Sequence, residues 1–331
     1  MNLNVTGMQA VVVGGDLRAA GQVSSLLDGG ASVTVVAGEV TASIDDLAAR
    51  GLVTWIARDA EPDDLAPFDL VLRGHAHAPT PERILDIGSV TLVGGGPGDP
   101  GLVTVAGREA IETADVIVTD RLAPLAALAW ARPDAEIIDV AKIPGGRSTS
   151  QDDINQLLVE HAKAGRHVVR FKGGDNFVFG RGGEELLACH DAGIPTRVVP
   201  GVSSAIAAPA LAGVPVTHRG LTQGFTVVSG HVPPGHPDST LDYAALARSG
   251  TSIVVLMGVR TLEAICAALV EGGLDPATPA AVVADGSLPS QRVVRATVAT
   301  IAEAAADLRP PAVAVIGEVA DIDGLTAVTT A

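Results

Sequence analysis

Aromatic residues, cysteine and positive charge are all scarce in this chain of 331 residues. Phe, Trp and Tyr make up 2% of the sequence, too little for a protein that reads single-stranded nucleic acid by stacking bases on aromatic rings. The formal net charge is −16 at pH 7, which repels phosphate backbones. General nucleic-acid binding is therefore excluded, whereas a locally basic cleft for an anionic small ligand is not.

Ligands for a structural metal are also scarce. The two cysteines, Cys189 and Cys266, cannot form a disulfide framework or a four-thiolate site. His75 and His77 form an H-x-H pair, but no cysteine or carboxylate follows at ligand spacing. We therefore expect no metal site.

Long hydrophobic runs are missing as well. The N-terminus, MNLNVTGMQAVVVGG, lacks the basic start and cleavage site of a signal peptide. The longest uncharged stretch, residues 198–217, contains three prolines and reads as part of a folded core, not as a membrane span. We expect a cytoplasmic protein without membrane contact.

Hydrophobic residues make up 47% of the chain, and short β-branched runs alternate with Ala/Leu-rich helical patterns throughout. The clearest runs are residues 10–13, 33–36, 116–120, 167–172, 225–230 and 253–258, and the clearest helical patterns are residues 43–50, 104–113, 151–164, 183–192 and 260–272. This alternation is typical of βαβ units and predicts an α/β fold with mostly parallel strands.

Three sections are predicted along the chain. Residues 1–88 look like a short Rossmann-like segment with strand, glycine turn, helix, strand, helix and two more strands. Residues 89–219 and residues 220–331 are predicted to form two further α/β domains, because a turn-rich loop at 214–224 separates them.

Two glycine-rich turns precede helices without a clean dinucleotide fingerprint. In VVVGGDLRAAG, at 11–21, Asp16 and Leu17 stand where small residues are needed near a pyrophosphate, so we predict an ordinary turn without NAD. In the second turn, at 94–101, Pro97 and Pro100 interrupt a G-x-G-x-x-G pattern. Proline removes N–H donors, which favours a neutral or zwitterionic ligand over a pyrophosphate.

The third constellation, VVRFKGGDNFVFGRGGEELLACHDAG at 168–193, is more specific. Gly173 and Gly174 follow a buried strand and would let the backbone approach a flat ligand. Asp175 beside them can accept hydrogen bonds from hydroxyl or ammonium groups. No G-K-[ST] follows, so this is not a P-loop.

These motifs carry a resemblance. Six motifs within residues 90–319 resemble those of the uroporphyrinogen-III C-methyltransferases, which belong to the tetrapyrrole methylase family and are also found as the C-terminal half of sirohaem synthase. The motifs are LVGGGPGDPGLVTVAG, ADVIVTDRL, KGGDNFVFGRGGEE, PGVSSAIAAPALAGVPVTHR, VLMG and PPAVAVIGEV. The resemblance implies two α/β domains with a cleft between them, a homodimer, and S-adenosylmethionine as methyl donor. The family usually has proline where this sequence has Asn176, so we expect a looser turn here.

The family's cofactor contacts carry over residue by residue. They fall on Pro97, Gly173, Gly174, Asp175, Val178, Ser203, Ser204, Met257 and Gly286. We expect the turn containing Pro97 and the turn containing Asp175 to face each other and grip one adenosyl sulfonium.

The implied reaction methylates carbons 2 and 7 of uroporphyrinogen III to give precorrin-2, in sirohaem or cobalamin biosynthesis. The family's proposed base falls on Asp120 and its proposed proton donor on Lys142, which could equally clamp a substrate carboxylate. Cations near the motifs that could meet the substrate's carboxylates are Arg121, Arg147, Arg181, His218 and Arg219.

Residues 1–88 resemble only the nucleotide-binding beginning of the dehydrogenase that precedes the methyltransferase in bifunctional sirohaem synthases. We therefore expect a structural remnant without dehydrogenase or chelatase activity. The alternatives are an NAD-dependent precorrin-2 dehydrogenase or chelatase working through residues 1–88, a regulatory nucleotide-binding module, an RNA methylase, or a methylase of a later corrin precursor.

Overall fold

The computed structural model describes residues 5–61, 65, 67–73, 87–141, 150–322 and 325. The chain divides into two compact units, Met1–Val202 and Ser203–Ala331, and its strands form three sheets. None of the helices in these described ranges has the length and apolar character needed to cross a bilayer.

The first sheet has four parallel strands in the order β3-β2-β1-β4. Its elements are β1 (Gln9–Val13), α1 (Leu17–Asp28), β2 (Ser32–Val36), α2 (Ala42–Ala49), β3 (Thr54–Ile56) and β4 (Leu70–Arg73). The apolar run of β1 is buried at its centre, as expected for a strand covered on both faces. The predicted element order of this section is confirmed.

The second sheet has five parallel strands in the order β7-β6-β8-β5-β9. Its elements are β5 (Ser89–Gly94), α3 (Val105–Thr113), β6 (Val116–Thr119), β7 (Glu136–Asp139), α4 (Gln151–Lys163), β8 (His167–Lys172), α5 (Gly182–Asp191) and β9 (Thr196–Val199). Because the strands are parallel, the segments that follow β5, β6, β8 and β9 all begin at one edge of the sheet.

Helix α1 of the first section packs against a 3-10 helix of the second, Leu125–Trp130. At Gly21 of α1, an added Cβ would lie 2.8 Å from the carbonyl oxygen of Leu125. From its Nη2 atom, Arg18 donates at 3.0–3.1 Å to three backbone carbonyls, those of Arg132, Pro133 and Ala135. One hydrophobic core runs across both sections.

The second unit holds a mixed sheet in the order β10-β11-β14-β12-β13. Its elements are α6 (Ser204–Leu211), β10 (Phe225–Ser229), α7 (Tyr243–Ala247), β11 (Ser252–Leu256), α8 (Leu262–Glu271), β12 (Pro279–Ala284), β13 (Arg292–Thr297), α9 (Ile301–Ala304) and β14 (Ala312–Ile316). Only β10 and β11 pair in parallel. The turn between β12 and β13 is too short for a crossover, so this pair is antiparallel.

Candidate active site

The turn after β5 and the turn after β8 are hydrogen-bonded to each other. The Gly96 N–H donates to the Gly174 carbonyl at 3.1 Å, and the Gly174 N–H donates back at 2.6 Å. The Gly95 N–H donates to the Lys172 carbonyl at 2.7 Å. The expectation that these two turns face each other is confirmed, and Pro97, Gly173, Gly174 and Asp175 lie in adjoining turns.

Close packing of backbone explains several of the glycines. An added Cβ would lie 2.3 Å from the Leu122 carbonyl oxygen at Gly173, 2.2 Å from the Gly174 carbonyl oxygen at Gly201, and 2.5 Å from the Gly201 nitrogen at Gly94. No side chain fits at these distances. These three glycines are therefore required by neighbouring turns, a reason that the sequence pattern alone did not indicate.

Asp175 ties the β8 turn to the loop that follows β9. Its Oδ1 accepts from the Phe177 N–H at 2.9 Å and its Oδ2 accepts from the Gly201 N–H at 3.0 Å. The residue is half-buried, and each carboxylate oxygen has a second lone pair. The carboxylate thus fixes the turn and keeps capacity to accept from a ligand.

Asn176, where the family usually has proline, is fully buried. Its Nδ2 donates to the Val199 carbonyl at 2.9 Å and to the Leu92 carbonyl at 3.4 Å. The side chain therefore links the ends of β9 and β5. These hydrogen bonds restrain the turn through the amide, and the expectation of a looser turn than with proline stays a prediction.

Backbone strain marks three loops. Among the described residues, the non-glycine residues with left-handed φ are Phe179 (55°), Arg181 (59°), Met257 (57°), Asp285 (52°) and Ser287 (77°). Phe179 follows the predicted contact Val178, Met257 is itself a predicted contact, and Asp285 and Ser287 flank a third, Gly286. Strained residues of this kind concentrate at functional sites.

In the second unit, α6 brings three predicted contacts together. Ser203 caps the helix, with its Oγ accepting from the Ala205 N–H at 3.3 Å, and Ser204 is the first helical residue. An added Cβ at Gly286 would lie 2.4 Å from the Ala208 Cβ, so the Gly286 loop rests on the same helix. Met257 lies on the separate loop after β11 and is 52% exposed.

Asp120 follows β6 and is the partly exposed end of a group of charged side chains. Its side chain is 30% exposed. Its Oδ1 accepts from the Leu122 N–H at 3.1 Å, and its Oδ2 accepts from Nη2 of Arg170 at 3.3 Å. This carboxylate is both held in place and reachable.

Behind Asp120 lies an ion cluster that sequence reasoning missed. Arg170 Nε contacts Glu185 Oε1 at 2.9 Å, and Lys172 Nζ contacts Glu185 Oε2 at 2.7 Å. Burial lowers the pKa of Lys172, an effect that the Glu185 charge opposes. A signal was available: Arg170 and Lys172 stand two apart in a buried strand, hence on one face, and buried cations need a carboxylate partner.

Other predicted residues have structural partners, are exposed, or lie outside the described residues. Arg121 Nη1 lies 3.5 Å from Asp46 Oδ1, and Arg181 Nη2 lies 2.6 Å from Glu184 Oε2. His218 and Arg219 are exposed. Outside the described residues lie Lys142, Arg147, His75 and His77.

The cysteines and possible metal ligands add no chemistry. Cys189 and Cys266 are buried, and burial raises the pKa of each thiol to about 11, which keeps both protonated and unreactive. In the part of the chain that the structure describes, no group of three or more His, Cys, Asp and Glu side chains is arranged to hold a metal ion.

The turn after β1 lines a cavity of about 390 Å³ and is held in place by its own aspartate and by the loop after β2. Asp16 caps α1, with its Oδ1 accepting from the Ala19 N–H at 2.8 Å. The Thr41 N–H donates to the Gly15 carbonyl at 2.9 Å, and an added Cβ at Gly15 would lie 1.8 Å from the Glu39 carbonyl oxygen. A carboxylate thus occupies the helix end where a dinucleotide's pyrophosphate would bind.

Comparison with known proteins assigns both parts of the chain. Residues 89–302 match the family model "Tetrapyrrole (Corrin/Porphyrin) Methylases", and residues 1–85 match the model "Putative NAD(P)-binding". Uroporphyrinogen-III C-methyltransferase of Methanocaldococcus jannaschii is 46% identical over 71% of this chain and 98% of that protein. Siroheme synthase 1 of Klebsiella pneumoniae is 45% identical over 73% of this chain but only 50% of its own length.

A solved structure supports the same assignment. Uroporphyrin-III C-methyl transferase of Thermus thermophilus, complexed with S-adenosylhomocysteine, has a TM-score of 0.61 and 41% identity, and covers 70% of this chain and 98% of that one. The resemblance described from the motifs is thus confirmed, and the matched family model spans well over half of the residues. This chain belongs to the tetrapyrrole methylase family.

Proposed function

We propose that this chain is an S-adenosylmethionine-dependent C-methyltransferase that converts uroporphyrinogen III to precorrin-2 by methylating carbons 2 and 7. The observation that carries the proposal is that the chain matches a uroporphyrinogen-III methyltransferase over nearly that protein's whole length. The chain spans only about half of the siroheme synthases, so their further activities are not carried over.

The described residues fit the methyl donor. Asp175 offers acceptor lone pairs to hydroxyl or ammonium groups, and its negative charge suits a sulfonium cation. Val178 is exposed beside it, next to the strained Phe179. The residues proposed to hold S-adenosylmethionine are Pro97, Gly173, Gly174, Asp175, Val178, Ser203, Ser204, Met257 and Gly286. When bound, this group would supply a methyl on a sulfonium sulfur, with the neutral thioether as the leaving group.

Asp120 is assigned the removal of a proton from the methylated macrocycle. Methyl addition leaves the attacked pyrrole system with a positive charge, and loss of a proton to a base restores neutrality. The partial exposure of Asp120 and its fixed orientation support this role. Lys142 is proposed as a proton donor or as a clamp on a substrate carboxylate.

The cellular location, the oligomeric state and the pathway are proposed from the family resemblance. We assign the chain to the cytoplasm as a homodimer whose product enters sirohaem or cobalamin biosynthesis. The acidic charge and the scarcity of aromatic residues argue against an RNA substrate. A later corrin precursor is the alternative substrate.

The first section is proposed to be structural and not to use NAD. A cavity of about 390 Å³ lies beside the β1 turn, but Asp16 at the α1 terminus would repel a pyrophosphate there. Arg18 and Gly21 instead fasten α1 to the neighbouring section. The match to a putative NAD(P)-binding model therefore describes the fold of this section.

Incubation with uroporphyrinogen III and methyl-labelled S-adenosylmethionine tests the proposal. We expect a product carrying two labelled methyl groups by mass, and a drop in kcat of about 100-fold or more in D120N, as for loss of a general base. Added NAD should leave that product unoxidised. An unlabelled tetrapyrrole would contradict the methyltransferase, and NAD-dependent oxidation would contradict the structural role of residues 1–88.

A further inference from the structure

The group formed by Asp120, Arg170, Lys172 and Glu185, here called the β8 ion cluster, runs from the interior to the edge of the second sheet. Glu185 is 0% exposed, Arg170 and Lys172 are 4% exposed, and Asp120 is 30% exposed. Asp120 is thus the one member of the cluster that a ligand can reach. The other three are enclosed by protein.

Every nitrogen of the Arg170 guanidinium is engaged. Nε donates to Glu185, and Nη1 donates at 3.3 and 3.4 Å to the carbonyls of Val118 and Phe171, while Nη2 donates to Asp120. A planar donor held on three sides has one orientation. The position of the Asp120 carboxylate therefore depends on contacts made several ångströms deeper in the protein.

Glu185 is held from several directions in turn. Its Oε2 accepts from Lys172, and its Oε1 accepts from Arg170 and, at 3.4 Å, from Gln151 Nε2. Lys172 Nζ also donates to the Gly180 carbonyl. With two cations and two carboxylates, the cluster is neutral only when Asp120 carries its charge.

Stability alone is a poor reason for such a cluster. Removing charges from water costs as much as their attraction returns, and well-packed apolar side chains often give an equally stable interior. Burying two cations and a carboxylate does, however, give one defined geometry. In the β8 ion cluster, that geometry fixes the position of the one partly exposed carboxylate, Asp120.

We propose that Arg170, held by Glu185, is a positioning residue that aims the Asp120 carboxylate at the substrate. The inference rests on the proposed function and deepens it. Arg170 is too buried to touch the substrate itself, so its effect is exerted through Asp120. Lysine at position 170 would keep the charge but could not reach Glu185, two carbonyls and Asp120 together.

The same strand supplies a matched control. Asp115 and Asp120 flank β6, and Asp115 Oδ1 pairs with Arg132 Nη2 at 3.0 Å at the amino end of the strand. Arg132 is 36% exposed and lies at the end of β6 away from the turns of the candidate site. R132K therefore changes an Asp–Arg pair of β6 without touching the β8 ion cluster.

The experiment is a double-mutant cycle on methyl transfer with R170K, D120N and both together, with R132K as control. We expect R170K to lower kcat about 10- to 100-fold, as misplacement of a catalytic group does, with KM for S-adenosylmethionine within about twofold. R132K should leave kcat unchanged. In the D120N background, R170K should lower kcat by less than about twofold, because residues that act as a unit are not additive.

Equal losses from R170K in both backgrounds would overturn the inference, since they indicate a general structural effect, and so would full turnover by R170K or by D120N. Absence of methyl transfer by the wild type would instead overturn the proposed function. If R170K does not fold, as judged by S-adenosylhomocysteine binding and the melting temperature, E185Q replaces it in the same cycle. E185Q keeps the size of Glu185 but not its charge, and the same expectations apply.

Discussion

The tripeptide Gly-Gly-Asp occurs after β1, at 14–16, and again after β8, at 173–175. Both copies follow a parallel strand and precede a helix. After β1 the helix starts at once, whereas after β8 it starts seven residues later, at Gly182. The same three residues therefore serve two different turns.

The difference lies in what each aspartate binds. Asp16 accepts from Ala19, three residues on, and so caps its own helix. Asp175 accepts from Gly201, 26 residues on, and so joins two loops. The intervening residues after β8 include the left-handed Phe179 and Arg181, a strain that local capping does not require.

A glycine turn after a strand is therefore not by itself a ligand site. The aspartate of the β1 turn caps the adjoining helix and so places a carboxylate at that helix terminus. The β8 turn is held by a second glycine turn and by a distant loop. Each carboxylate oxygen of its aspartate accepts one hydrogen bond and keeps a second lone pair for a ligand. The partner that each aspartate binds, not the tripeptide, distinguishes the two turns.

Exchanging each aspartate for alanine gives the largest expected effect. D175A loses two backbone contacts and a ligand acceptor, and we expect S-adenosylhomocysteine binding to weaken about 30-fold, as for loss of a charged hydrogen bond. D16A should bind within about twofold of the wild type and lose about 1 kcal/mol of stability as a missing helix cap. Calorimetric titration measures the binding and urea unfolding measures the stability of each variant. If D16A bound S-adenosylhomocysteine as weakly as D175A, the proposed difference between the two turns would be wrong.

The second largest effect is expected where α1 of the first section packs against the 3-10 helix Leu125–Trp130 of the second. Alanine usually stabilises a helix by about 1 kcal/mol over glycine, but at Gly21 a Cβ would meet the Leu125 carbonyl oxygen at 2.8 Å. We expect G21A to lower the free energy of unfolding by about 1–3 kcal/mol, as overpacking does. G183A is the control, because a Cβ there meets nothing within 4 Å; if urea unfolding gave both variants equal stability, the proposed docking of α1 would be wrong.

Much of the fold was predictable from periodicity. The strands and helices indicated by the β-branched and Ala/Leu-rich patterns are found with their ends shifted by at most two residues. The antiparallel pairs of the third sheet were not predicted, because the apolar run of a buried strand carries no direction. Direction is set by the connection, and the short turn from Ala284 to Arg292 leaves no room for a crossover helix.

The candidate site was predictable only in part. The family resemblance implied that the Pro97 turn and the Asp175 turn would meet, and they do. The β8 ion cluster and the role of Asn176 were missed, because each depends on partners in other strands, such as Glu185 for Arg170 and Val199 for Asn176. Pairings between distant residues are fixed by sheet order, and local spacing does not give that order.

The smallest expected effect concerns Asp28, the last residue of α1. Burial, and then the negative charge of Asp99, raise the pKa of the Asp28 carboxyl from 3.8 to about 6. The folded protein thus keeps this proton to higher pH than the unfolded chain, so stability falls as pH rises from about 4 to about 6.

D28N removes that loss, and we expect it to raise the melting temperature at about pH 8 more than at about pH 4. The gain is small because Asp28 as a residue is exposed, although neighbouring atoms partly desolvate its carboxyl, so solvent screens the charge. D191N makes the same change at the last residue of α5 and controls for the helix terminus; an equal pH-dependent gain there would show that the neighbourhood of Asp28 is not the cause.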